Sequence, residues 1–198
     1  MNQNLNIAFF GSSIVSAYWN SAATHYRGIV KALHKMGHNI TFYEPDIYER
    51  QQHRDIEDPE WCEVVVYKNE VAEIRNMLER ASNADVIIKA SGVGAFDELL
   101  EKEIAQMKNA HNLIIYCDVD APVTLERIEE NKQDPFNDLI PKYDFILIYG
   151  GGQPVIDAYL SHGAKKCIPI YNALDPENLE FLYQEKTKEG SESTFSNL

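Results

Sequence analysis

The sequence is short of cations, of paired cysteines and of long apolar runs. Eighteen Lys and Arg stand against 31 Asp and Glu, a formal net charge of −13. A chain so acidic has no general attraction for nucleic acid or for an anionic membrane surface. It can still hold a phosphorylated small ligand, through backbone amides and one or two local cations. The three cysteines, Cys62, Cys117 and Cys167, lie far apart with no CxxC spacing, which fits a reduced, cytoplasmic compartment. No apolar run approaches the ~20 residues that span a bilayer. The first residues, MNQNLN, lack the basic and apolar regions of a signal peptide. No GxxxxGK[ST] pattern occurs, so a P-loop nucleotide site is excluded. What remains is ordinary: 198 residues, 44% hydrophobic and 25% charged, enough for one α/β domain with a real core.

The opening stretch organises the rest. Residues 7–10 form a short apolar run suited to a buried strand, and Gly11-Ser12-Ser13 make a small-residue turn. Ala22, Tyr26, Ile29, Val30 and Leu33 then recur at helical spacing, with Gly37 as a stop signal. Strand, turn and helix are the first half of a βαβ unit. Further apolar strands are predicted at 39–43, 64–66, 85–90, 113–116, 143–149 and 167–170. Helical patterns separate most of them: Val71 to Leu78, which Asn69 can cap; Phe96 to Met107; Leu125 and Ile128; and a stretch from Pro154 to Gly163. The polar stretch 47–59 reads as a surface loop. The alternation predicts a doubly wound, mostly parallel, Rossmann-like sheet of six or seven strands over 1–176, with helices on both faces. Residues 177–198 are polar enough to expect a partly disordered tail.

Four strands run into small or acidic residues: Gly11-Ser12-Ser13, Ser91-Gly92-Val93-Gly94, Asp118-Val119-Asp120 and Gly150-Gly151-Gly152. In a parallel sheet these ends share one edge, where ligands gather. Glycine also simply lets a βα loop turn, so the four together say more than any one. Gly92-Val93-Gly94 opens a GxGxxG pattern, but Asp97 stands where the third glycine belongs. A nicotinamide or flavin site is therefore not expected. Asp118 and Asp120 have DxD spacing, which in some sugar transferases shares a divalent cation with a diphosphate. Against this, Asp120 stands where it would cap the helix starting at Ala121-Pro122. Lys89, near the end of a strand, either meets an anion, pairs with Asp118 on the neighbouring strand, or snorkels to the surface. His25 and Arg27 begin the first helix. Arg50, His53 and Arg54 form a basic cluster, either a solvated loop or a guide for an anionic acceptor.

Six runs, IAFFGSSIVSAYWNSAATHYRG, TFYEPDIYERQQHRDI, KASGVGAFDELL, YCDVDAPVTL, YDFILIYGGG and IPIYNALDP, together resemble the N-terminal half of CgeB-like, spore maturation protein-like glycosyltransferases of GT-B architecture. The resemblance spans roughly 6–176. It implies a Rossmann-like domain forming one wall of a cleft, with sugar transfer from a nucleotide-sugar donor between two domains. It also implies that 171–176 leads toward a second, donor-binding domain. That domain is missing here, or a partner chain replaces it, so the half is expected to be inactive alone. Under this reading Gly11, Ser12, Ser13, His25, Arg27, Lys89, Ser91, Gly92, Asp120, Gly150, Gly151 and Gly152 line the substrate site. Asp118 is the base toward an acceptor hydroxyl. No metal or cofactor is called for, because GT-B enzymes generally do without a DxD metal. Two rivals stand beside it: a non-catalytic module that binds a ligand or partner, with an apolar patch near Tyr171 inviting another chain, and a metal-dependent DxD transferase.

Overall fold

A computed structural model describes residues 4–171. Seven strands form one wholly parallel sheet: β1 (Asn6–Phe10), β2 (Asn39–Pro45), β3 (Glu63–Tyr67), β4 (Val86–Ala90), β5 (Leu113–Asp118), β6 (Phe145–Ile148) and β7 (Cys167–Pro169). Their order across the sheet is β3-β2-β1-β4-β5-β6-β7. It is a Rossmann-like α/β fold. The order reverses between β1 and β4, and at that switch point the carboxyl ends of the strands leave a crevice. The helices are α1 (Ala23–Lys35), α2 (Val71–Ala81), α3 (Asp97–Gln106), α4 (Ala121–Glu130), α5 (Phe136–Leu139) and α6 (Gly152–Ser161).

Right-handed crossovers decide which face each helix covers. Leftward from β1 to β2, the chain places α1 on one face. Every helix-bearing crossover after β3 runs rightward, so α2 to α6 gather on the other. The two cores record this division. Ala8, Phe10, Tyr43, Ile87, Ile114, Tyr116, Ile146 and Ile148 pack under Ile74, Leu100, Ile104, Leu125, Phe136 and Tyr159. The opposite face packs Phe9 and Phe42 against Tyr26 and Val30 of α1, with ring centroids 5.3 Å apart for Phe9 and Tyr26. Helices thus stand on both faces, but very unequally.

Three local expectations need correction. Asn69 does not cap α2, whose N-cap is Glu70 with no side-chain capping bond. Asp120 occupies the N-cap of α4, yet its side chain also makes none; its carbonyl accepts the Thr124 N–H at 3.2 Å. The 47–59 stretch is not just a solvated loop. It folds back over the end of β1, burying Arg50, whose Nη1 donates to the Ser12 carbonyl at 3.1 Å. The expected polar tail over 177–198, and the exit toward a second domain after Tyr171, lie outside the described residues.

Candidate functional site at the carboxyl edge of the sheet

All four glycine- or acid-bearing turns meet at the carboxyl edge, as the parallel sheet requires. Three of them already contain an anion, and in each case it is a carboxylate of this chain.

At the first turn the occupant is Glu44, the penultimate residue of β2. Its Oε2 accepts the Ile14 N–H at 2.6 Å, and its Oε1 accepts the Ser13 hydroxyl at 2.9 Å and the Gln51 amide at 2.7 Å. Burial raises its pKa above the usual carboxylate range, against those hydrogen bonds. Gly11 serves packing rather than a ligand, since a Cβ there would lie 2.4 Å from Phe42 Cζ. Ser12 and Ser13 are both buried; Ser12 donates to Asn20 Oδ1 at 2.8 Å. The turn is closed beneath residues 14–22, which Asn20 holds by donating to the Ser13 and Ser16 carbonyls.

At the second turn the occupant is Asp97, the first residue of α3. Its carboxylate accepts the Gly94 N–H at 2.9 Å and the Val93 N–H at 3.1 Å, and pairs with Lys89 at 2.5 Å. This is the residue that displaces the third glycine of the GxGxxG pattern, and it fills the place a phosphate would take on those amides. Lys89 therefore neither snorkels nor pairs with Asp118. Its side chain is fully buried, 3.7 Å from Glu101 and 5.5 Å from the centroid of Tyr116. Burial alone would raise the Asp97 pKa. The Lys89 charge and the hydrogen bonds outweigh it and hold the group below the ordinary aspartate range.

At the third turn the occupant is Asp118 itself. Oδ1 accepts the Ser91 hydroxyl at 2.7 Å, the Asp120 N–H at 3.1 Å and the Thr124 hydroxyl at 3.1 Å, while Oδ2 accepts the Tyr159 hydroxyl. Burial first, and then the Asp118 charge, push the Tyr159 phenol far above its ordinary range. Asp118 is wholly buried. A general base must reach the proton that it abstracts, and a metal needs free carboxylate lone pairs; four donors already occupy these. The geometry therefore corrects both expectations for Asp118, as base and as half of a DxD pair. Asp120 is exposed beside it. Ser91 is likewise turned inward, its hydroxyl also accepting the Val119 N–H at 2.8 Å.

Arg27 is not at the edge either. Its guanidinium forms a bidentate pair with Asp55, both bonds 2.8 Å, and donates to the Ile14 carbonyl at 2.7 Å, pinning the two covering loops together. His25 is buried on the α1 face against Tyr149, ring centroids 3.8 Å apart. Of the predicted lining, Gly92, Asp120 and the Gly150-Gly151-Gly152 turn reach the surface. Space is open around Gly92 and Gly150. Among the described residues this last turn alone has no internal carboxylate on it; α6 starts there without a side-chain cap or an acidic first turn.

The exposed features of the edge are aromatic, and sequence reasoning missed them. Trp19 is 81% exposed, Tyr48 59% and Phe96 37%. All three sit in left-handed backbone, with φ of 48°, 55° and 52°. Bulky residues rarely adopt that region, and such strain concentrates at functional positions. Arg50 joins them: Nη2 donates to the Trp19 carbonyl at 3.3 Å, and the guanidinium lies 5.1 Å from the Tyr48 ring centroid. The Tyr48 hydroxyl donates to the Gly94 carbonyl at 3.2 Å, two residues before Phe96. The available signal was an aromatic residue in a polar loop just past a strand end, at Tyr18-Trp19 and at Tyr48.

No protein-family model and no curated protein matches the sequence. Solved structures similar in fold include two that cover most of this chain. The C-terminal domain of the coenzyme A biosynthesis bifunctional protein CoaBC is 14% identical, over 66% of this chain and 71% of its own, with a TM-score of 0.39. BdcA (YjgI) from E. coli is 13% identical, over 84% of this chain and 97% of its own, with a TM-score of 0.45. Both likenesses are too distant to carry a function across.

Proposed function

We propose that this chain is the acceptor-side half of a GT-B glycosyltransferase-like protein of the CgeB-like kind, contributing binding rather than proton transfer to sugar transfer. The carrying observation is the self-filled edge. Glu44, Asp97 and Asp118 occupy three of the four turns that could otherwise hold donor phosphates. An exposed aromatic rim and the Gly150-Gly151-Gly152 turn are left for a ligand. Aromatic faces suit the apolar faces of sugar rings and of nucleobases, and the rim stands where a second domain would close a cleft. The donor's diphosphate would then be held by that second domain or by a partner chain, without a metal on this half. The buried, unpaired cysteines suit a cytoplasmic setting, and among the described residues no helix is long and apolar enough to cross a membrane.

A second reading, the non-catalytic binding module, is favoured by one specific observation: the best candidate base, Asp118, is buried and saturated. Both readings place the ligand on the rim and differ in turnover. Tryptophan fluorescence of the Trp61→Phe protein reports Trp19 alone and tests the shared part. Saturable quenching by a nucleotide sugar or an oligosaccharide, weakened when Tyr48→Ala is added and Trp19 is kept as the reporter, is expected. A flat titration across a sugar and nucleotide-sugar panel at millimolar concentration refutes sugar binding. Added as a separate chain, a GT-B C-terminal half should then produce transfer under the first reading and none under the second.

A further inference from the structure

The sheet has two lateral edges, and they are built differently. On one side it ends with β7, three residues long, which closes on Pro169 and is entered through Lys165 and Lys166. Shortness, proline and lysine are the usual guards against pairing with another strand. On the other side it ends with β3. The five residues there, Glu63-Val64-Val65-Val66-Tyr67, include no proline, glycine or lysine, and the one charge, Glu63, is engaged by Arg80 at 2.5 Å. One bond fixes which way the backbone groups point. The Tyr67 carbonyl accepts the Asp46 N–H at 2.8 Å, so Tyr67 faces β2, and by the two-residue repeat Val65 and Glu63 face it too. The N–H and C=O groups of Val64 and Val66 therefore point away from the sheet, with no backbone partner among the described residues. Val66 is also 40% exposed.

We infer that β3 pairs with β3 of a second copy of this chain, antiparallel about a twofold axis through Val65, joining two sheets into one. The strand suits its own copy because Val64-Val65-Val66 reads the same in both directions. With Val65 opposite Val65, Val64 of each chain stands opposite Val66 of the other. Those are the residues whose backbone groups face outward, so the register that matches side chains also closes about four backbone hydrogen bonds. A slip of one residue sets outward groups against inward ones and loses these bonds. Val64 lies on the sheet face covered by α1, and Val66 shares that face two residues on. The four valines thus meet as one apolar cluster across the joint, and β-branched cross-strand pairs of this kind favour pairing. Each chain carries a net charge of −13, which opposes association. The joint is therefore apolar and backbone-made, and it tightens as salt screens that repulsion. The inference is independent of the sugar-transfer reading.

The test is sedimentation equilibrium of the whole chain from micromolar to millimolar concentration, with amide exchange followed in parallel. A dimer is expected, and its assembly should slow exchange at Val64 and Val66 far more than at Val65, whose amide already faces β2. Val66→Pro removes only the outward donor; Val66→Lys keeps the backbone but sets a cation on each side of the joint. Each should weaken association about tenfold or more while melting stays near the native value. Val65→Cys gives a positive readout. A pair at this position sets its Cα atoms about 4.5 Å apart, within the span of a disulfide. Mild oxidation should then link two chains through that residue, since the three native cysteines are buried. A chain that stays monomeric at millimolar concentration overturns the inference. So does a dimer that survives both Val66 variants, because its contact lies elsewhere, and so does one that weakens with added salt.

Discussion

Replacing Lys89 by methionine removes a charge while keeping the length and most of the packing of the side chain. In the native protein the ammonium is fully buried, 2.5 Å from Asp97 and 3.7 Å from Glu101. Arg127 supports Glu101 at 3.3 Å, but among the described residues only Lys89 pairs with Asp97. Lys89→Met therefore leaves one buried carboxylate with only the Val93 and Gly94 amides, and another half-compensated. Breaking a buried pair in this way costs ~3–5 kcal/mol, a large share of the ~5–15 kcal/mol that keeps a domain folded. Melting should fall by on the order of 10 °C for a domain of this size. The pH dependence is the sharper readout. In the native protein Asp97 is depressed, so its contribution is present above the ordinary aspartate pKa of ~3.9 and is lost as pH falls through the lower folded value. Without Lys89, burial dominates Asp97 and raises Glu101 further above its already raised value. A folded-state pKa above the unfolded one means that protonation favours folding. The variant should thus gain more stability between pH 7 and ~4.5 than the native protein, in which this cluster gains only through Glu101. Urea unfolding followed by circular dichroism at several pH values measures it. Equal stability at pH 7 together with parallel pH profiles would refute the buried-pair reasoning outright.

Asp118→Ala should cost ~3–5 kcal/mol, because it strands the Ser91, Thr124 and Tyr159 hydroxyls and the Asp120 amide. Asp118→Asn, which keeps an acceptor oxygen, should cost less than half of that in the same unfolding assay, and a null effect for Ala would return Asp118 to the list of possible bases. Gly11→Ala should lose ~1–3 kcal/mol through its clash with Phe42; Phe42→Leu in the same chain should recover part of it, a coupling measured by a double-mutant cycle. Arg27→Lys should weaken the bidentate hold on Asp55 and raise hydrogen exchange at Ala17 and Asp55, whose amides it fixes indirectly, with little change in overall melting.

The strands were legible because each is a nearly continuous apolar run. Predicted 39–43 became Asn39–Pro45 and predicted 85–90 became Val86–Ala90, and the parallel sheet brought all four turn motifs to one edge. Side-chain partners were not legible. Lys89 faces the sheet side covered by α3, so its partner Asp97 comes from the helix that follows its own strand rather than from the neighbouring strand. Glycine at position 11 answers to Phe42, 31 residues away, a packing constraint that no local pattern announces. Glu44 reads from sequence as a strand terminator; only the fold shows it turned under Ser13. Arg50 looked solvated because its neighbours in sequence are polar, yet tertiary contacts bury it against Ser12 and Trp19.

The left-handed backbone at Trp19, Tyr48 and Phe96 places large side chains where glycine would be cheapest, at ~1–3 kcal/mol of strain for each residue. Selection for thermal endurance alone should therefore erode these three positions toward glycine, since each replacement relieves strain and removes apolar area from water. Laboratory evolution for heat resistance, run with no ligand requirement, becomes a way of asking the molecule which of its aromatic residues serve something other than its own folding.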